Sequence, residues 1–167
     1  MILAIDVDYK ENEATVAGVL FERWDDKVSF SVIKSTINNI EPYISGQFYK
    51  RELPCILRLL DEHDVIPEYI VVDGHVFLDG NKKPGLGKYL FDSLNCKIPI
   101  IGVAKKAFFT SSKESEIYRG MSKKALFITS IGIELELAKK CIESMDGQYR
   151  LPTLLKQADK ECRKKET

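Results

Sequence analysis

The chain has 167 residues, is 44% hydrophobic and 30% charged, and has a formal net charge of zero. That is enough chain to bury a core as one domain, and the balance excludes a simple basic nucleic-acid binder. No apolar run approaches a membrane span. Cys55, Cys96, Cys141 and Cys162 form no CxxC pair, which excludes a zinc cluster in favour of reduced structural thiols.

The opening MILAIDVDYK carries Asp6 and Asp8 and lacks a basic lead-in. It reads as a strand rather than a signal peptide, and the protein as cytoplasmic. ATVAGVLFERW and KVSFSVI follow as two more strands, the second with Val28, Phe30 and Val32 alternating. KENE and DDK are the short polar connections of an antiparallel meander. RELPCILRLLDEH reads as a helix with Pro54 in its first turn and His63 near its end.

The pattern then changes. YIVVD and IPIIGVAKK are continuously apolar, as buried parallel strands are, and GLGKYLFDSL between them reads as the helix of a βαβ unit. KALFITS is a further strand and IELELAKKCIESM a helix. The tail from Tyr149 reads as a short helix with a basic, frayed end. The expected architecture is an α/β mixed sheet, antiparallel hairpins followed by parallel βα units, with helices packed on it. One domain is expected over 1–167, with a basic tail from about residue 156.

Charge divides unevenly: residues 1–80 hold 7 Lys and Arg against 15 Asp and Glu, and residues 81–167 hold 18 against 10. Such asymmetry fits a carboxylate-lined metal site beside a phosphate-binding flank; scattered solvated charges are the plainer reading for most of these residues. A phosphate-cradling P-loop is excluded. Gly80 and Gly85 have its separation, but Leu86 stands where the lysine belongs, and Lys88 is followed by Tyr89. The carboxylates carry more. Asp73 ends one buried strand and Lys105 and Lys106 end another, at the edge where open α/β sheets bind ligands. Asp6 lies in an apolar run, where an aspartate is expensive unless paired or metal-bound. Glu52 precedes Pro54 at the start of a helix. Three acids on separate elements can converge on hard divalent cations, which prefer carboxylate and phosphate oxygens. Taken singly, Asp73-Gly74 is equally a turn and Glu52 a first-turn carboxylate.

Five ordered segments resemble the endonuclease V family, whose fold is RNase H-like. AIDVDY resembles its first-strand motif, which places a metal ligand on Asp6. EPYISGQFYKREL resembles the segment P-Y-[IV]-P-G with F-R-E, placing a second ligand on Glu52. VVDGH resembles the strand ending in D-G, with the catalytic aspartate on Asp73. IGVAKK resembles I-G-V-A-K, with its lysine on Lys105. YRLPTLLKQAD resembles the closing Y-R-L-P-E-P-T-R-x-A-D. The resemblance covers most of residues 2–159.

It implies a Mg²⁺-dependent endonuclease, with Mn²⁺ as an alternative ion, cutting a phosphodiester near inosine in DNA or RNA, single strands included. Asp6, Glu52 and Asp73 would hold the ion and Lys105 would steady charge on the phosphate. Pro42, Tyr43 and Ile44 would form the wedge, with Gly74, Gly85 and Leu86 near the base. Lys82, Lys83, Lys88, Lys106 and Arg163 to Lys165 would track the backbone. No membrane and no protein partner are implied. The sequence departs from the family at Val76 (a glycine in D-G-x-G), Ser45 (a proline) and Ile133 (a histidine or acid), and Asp79 is the nearest substitute for the histidine of H-P-R. The chain also starts almost at the first strand, ahead of which the family has a helical segment. The departures make a weak or inactive relative that binds nucleic acid without cutting the alternative.

Overall fold

The computed structural model describes residues 1–45, 47–80, 83–107 and 113–165. Apolar residues alternate between two faces along each central strand, and this builds a three-layer core. β1 (Ile2–Lys10), β2 (Glu13–Phe21) and β3 (Ser31–Asn38) form the antiparallel meander. β4 (Tyr69–Asp73) pairs parallel with β1, and β7 (Ile100–Ala104) parallel with β4. β9 (Leu126–Ile131) pairs antiparallel with β7, and the two-residue β8 (Glu116–Ile117) closes that edge. The sheet order is β3-β2-β1-β4-β7-β9-β8, a mixed sheet of the kind the sequence leads one to expect.

Ile2, Ala4, Val71, Ile101 and Val103 face α3 (Leu135–Ser144) and α4 (Thr153–Arg163). Leu3, Ile5, Ile70, Val72 and Ile100 face α1 (Tyr49–Glu62) and α2 (Leu86–Ser93). Among the described residues no helix is long and apolar enough to cross a membrane.

Several expected boundaries move. β3 begins at Ser31, because Leu20 of β2 pairs with Ser31. Val28 and Phe30 therefore lie before the strand, 78% and 55% exposed, despite their alternation. The connection between β2 and β3 is correspondingly longer than DDK. α1 starts at Tyr49, so Pro54 sits inside the helix rather than in its first turn. A small hairpin, β5 (Phe77–Asp79) with β6 (Lys83–Pro84), is inserted before α2. The expected tail helix is α4, which buries Leu154, Ala158 and Cys162 and packs across β1 and β2; it ends at Arg163, and residues 166–167 lie outside the described residues.

Arg119, 4% exposed, ties the last strands to this layer. Its guanidinium donates to the carbonyls of Ile142, Met145, Tyr149 and Arg150. Arg119→Ala leaves four carbonyls without that donor, and thermal unfolding is expected to show a loss of roughly 3 kcal/mol or more.

Candidate active site

Register brings the first two acids together. Ile5 of β1 pairs with Val72 of β4, so Asp6 and Asp73 stand at one level on adjacent strands, which lie about 4.8 Å apart. By alternation they share the face of Ala4 and Val71, the one covered by α4. Asp73 pairs with Val103, and Lys105 follows two residues on, at the end of the neighbouring parallel strand. Glu52 reaches the same place from the first turn of α1. Asp6, Glu52, Asp73 and Lys105 all line one cavity of about 230 Å³.

The sequence reading missed one acid here. Asp159 of α4 lines the same cavity. Carboxylate oxygens of Asp6 and Asp159 and the Cys162 sulfur lie within 4.8 Å of one another. The Asp159 carboxylate also accepts a 2.8 Å hydrogen bond from Nε of Arg163. The buried spacing of Leu154, Ala158 and Cys162 points this helix inward, and Asp159 follows Ala158 on that face. The small, unremarkable side chains of Ala158 and Cys162 hid the pattern among the basic residues.

Crowding sets the electrostatics. Burial pushes the Asp6 carboxyl up to about 7, with the Asp73 charge adding and Asp159 also contributing; the Val7 amide, donating to Asp6 Oδ1 at 2.8 Å, opposes this. Burial also raises Glu52 well above the usual carboxylate range, with Asp73 and Asp6 adding to it. Asp73 is raised by burial too, against the pull of Lys105. Among the described residues Glu52 Oε2 is buried without a hydrogen-bond partner, although Glu52 is only 4% exposed. Burying a carboxylate with an oxygen unmatched is unfavourable unless a cation completes the site. The four carboxylates suit a hard divalent ion, while the ligand atoms that already lie within 4.8 Å of one another are those of Asp6, Asp159 and the Cys162 sulfur.

A second cavity of about 690 Å³ adjoins the first through Phe48. Tyr43, Ser45, Gly74, His75, Gly85 and Leu86 help to line it. Gly74 has φ +141°, a backbone conformation that only glycine adopts easily, and its open α-carbon faces Phe48. Tyr43 and Ile44 are 64% and 50% exposed, and Pro42 is exposed beside them. The Arg51 guanidinium stands 5.7 Å from the Tyr43 ring centre and 4.0 Å from that of Tyr9.

The departures from the family pattern also find their places. Val76 is fully buried and does not line the Tyr43 cavity. It fills the space over Gly87, where any Cβ would come within 2.6 Å of Val76 Cγ2. Ile133 follows β9, whose Ile131 pairs with Ile100 at the far end of β7. The additional acid at the site therefore comes from α4, not from position 133 or its neighbour Glu134. Asp79 accepts from the Lys83 amide within its hairpin.

Of the basic residues, Lys83 lines the Tyr43 cavity and Lys106 is exposed. Lys88 pairs with Asp92, and Lys82 lies outside the described residues. Arg163 is not a loose tail cation: it lines the carboxylate cavity and pairs with Asp159 and, at 3.9 Å, with Asp8. Lys164 pairs with Glu161, and Lys165 is exposed.

The Endonuclease V family model matches residues 1–132. Endonuclease V of Pyrococcus abyssi is 36% identical over 165 residues, which span 95% of this chain and 77% of that one. The crystal structure of endonuclease V from Streptomyces avermitilis superposes with a TM-score of 0.76 at 25% identity, covering 97% of this chain and 79% of that one. That of Ciona intestinalis endonuclease V, in complex with a 24mer DNA containing an inosine followed by a ribo-adenosine, superposes with a TM-score of 0.77 at 20% identity, covering 97% and 83%. These structures share the RNase H-like mixed sheet described above. By its sequence and its fold together, the chain belongs to the endonuclease V family.

Proposed function

We propose that this protein is a divalent-metal-dependent endonuclease that cuts DNA or RNA strands near inosine, built as one RNase H-like domain over 1–167. The observation that carries this reading is the buried, unpartnered Oε2 of Glu52 in a cavity it shares with Asp6, Asp73 and Asp159. Lys105 and Arg163 reach the same cavity, but neither gives Glu52 Oε2 a hydrogen bond among the described residues, and a nuclease centre is the use that justifies such a cluster of acids.

Asp6, Glu52 and Asp73 are the residues that would hold Mg²⁺ or Mn²⁺, with Asp159 beside them. When bound, the ion supplies the Lewis acidity that phosphodiester hydrolysis requires. Lys105 is exposed at the rim of the cavity, where its ammonium balances charge on a phosphate oxygen as it develops. The Tyr43 cavity suits a flipped purine, with Gly74 and Gly85 leaving backbone within reach of the base and Leu86 giving an apolar wall. Tyr43 then stacks in place of the departed base, with Pro42 and Ile44 completing the wedge and Arg51 steadying the ring. The Ciona relative holds DNA containing inosine, and the same ligand class is proposed here. Lys83, Lys106 and Lys165 give phosphate contacts whose strength falls with salt.

Metal occupancy has a readout independent of cutting. Asp6 titrates at about 7 in the folded chain against a usual 3.8. Its protonated form is favoured by folding, so that contribution to stability is present below 3.8 and is lost as pH rises through about 7. Glu52 and Asp73 act in the same direction. The chelated protein is therefore expected to unfold at lower temperature at pH 8 than at pH 5.5. Adding Mn²⁺ should raise the midpoint by several degrees at pH 8 and far less at pH 5.5, about 2–4 °C for each kcal/mol of binding linkage. Differential scanning fluorimetry checks both. Function itself is tested by cutting of matched strands with and without inosine.

A further inference from the structure

Beyond the carboxylates, on the side away from Tyr43, lies a surface with another composition. Leu151 and Leu155 line the carboxylate cavity from the face that α4 covers, whereas Phe48, shared with the Tyr43 cavity, caps α1 on the other face. Next to Leu151, Arg150 bridges outward by donating to the carbonyls of Lys105 and Ala125 at 3.3 and 3.1 Å. From there an exposed group of large side chains begins: Tyr149 is 59% exposed, Tyr118 60% and Met121 80%. They belong to two segments that touch. The Met121 amide donates to the Gln148 carbonyl at 2.9 Å, and Gly120 packs so closely on Gln148 that no Cβ would fit. The Lys156 ammonium stands 5.0 Å from the Tyr149 ring centre. Residues 117–125 and 147–156 carry Lys123, Lys124, Lys156 and the half-buried Arg150 and no acid, with Glu116 and Asp146 at their borders and Arg119 buried.

Single exposed apolar residues are ordinary on a protein surface. Several together, beside Lys123, Lys124 and Lys156 and continuous with a cavity suited to phosphodiester chemistry, are not. A double helix offers its base edges and backbone to such a surface, and its ring faces stay hidden. An unpaired strand offers both the ring faces that Tyr149 and Tyr118 can stack on and the phosphates that the lysines can hold. We propose that the Tyr118–Met121–Tyr149 surface, with Lys123, Lys124 and Lys156, binds the single-stranded segment flanking the cut, on the side of the carboxylates opposite Tyr43. The inference rests on the nuclease reading and deepens it: the strand enters past Tyr43, crosses the acids and leaves over Tyr149.

Fluorescence anisotropy of the full-length protein in chelator tests it, with single-stranded inosine oligonucleotides of one core sequence. One has no flank, one is extended on the 5′ side and one on the 3′ side. The wild type is expected to bind one of the extended strands more tightly than the core by tenfold or more, and the other extension to add little. In Tyr149→Ala/Met121→Ser the gain should fall about tenfold, consistent with the loss of a base-stacking contact. In Lys123→Gln/Lys124→Gln the salt dependence of that gain should weaken. Unfolding midpoints equal to the wild type exclude misfolding. Variants that keep the full gain, or a wild type that gains nothing from either flank, overturn the inference, and so does an equal gain with duplex flanks. Cutting of the core and extended strands by the wild type in Mg²⁺ and in Mn²⁺ is read in parallel. If it occurs while the flank effect is absent, this inference alone fails; if it does not occur, the nuclease reading fails.

Discussion

Exchanging Asp73 for asparagine is expected to lower metal-dependent cutting of an inosine strand by about 10³-fold, with the fold left in place. The substitution keeps the shape of the side chain at the end of β4 and removes only its charge. That charge faces Asp6 and Glu52 across the cavity and Lys105 at its rim. Without it, the site loses an anionic ligand and the lysine loses the group that holds it close to the phosphate. Because burial and its neighbours disfavour the Asp73 carboxylate in the chelated protein, asparagine should leave the unfolding midpoint unchanged or raise it. Single-turnover rates beside thermal unfolding measure the two effects together. Cutting within a few fold of the wild type would remove Asp73 from the chemistry.

Asp159→Asn is expected to weaken cutting by about 10–100-fold, the range for groups that orient the ligands of a metal. Asp159 touches Asp6 through a carboxyl–carboxyl contact and holds Arg163 against the cavity. Its replacement leaves Arg163 without its 2.8 Å partner and relieves Asp6 of a neighbouring charge. The Asp6-dependent fall of stability with pH should therefore be complete at lower pH in the chelated variant. Removing a surface helix residue would do neither, so the combination of slower cutting and a shifted stability profile separates a site role from a structural one. Unchanged rate and unchanged profile would make Asp159 a bystander of α4 packing.

These two acids differ in how they could be found. Asp73 was legible because a buried parallel strand ends there, and ligands collect where such strands end. Asp6 was legible because an aspartate amid Ile and Val needs a reason. Glu52 and Lys105 followed from ordered motifs, and the structure places all four around one cavity. Asp159 was not assigned, because its helix buries small residues, Ala158 and Cys162, amid lysines, and small residues give a weak amphipathic signal. The same bias toward obvious hydrophobicity misplaced β3. Val28, Phe30 and Val32 alternate as a strand should, yet the hydrogen-bonded register with β2 starts the strand at Ser31. The hairpin Phe77–Pro84 escaped notice because strands of three and two residues carry no periodicity to read. Val76 shows the opposite lesson: a position that differs from the family pattern is absorbed in the core by Gly87 on α2, a pairing visible only once the helix is docked.

The most direct measurement is cleavage of labelled single strands of DNA and RNA, with and without one inosine, by purified protein with Mg²⁺, with Mn²⁺ and with chelator. The proposed function predicts a cut near inosine that requires the divalent ion and is lost in Asp73→Asn. Binding of the same strands without any metal-dependent cut, in either ion, would contradict it.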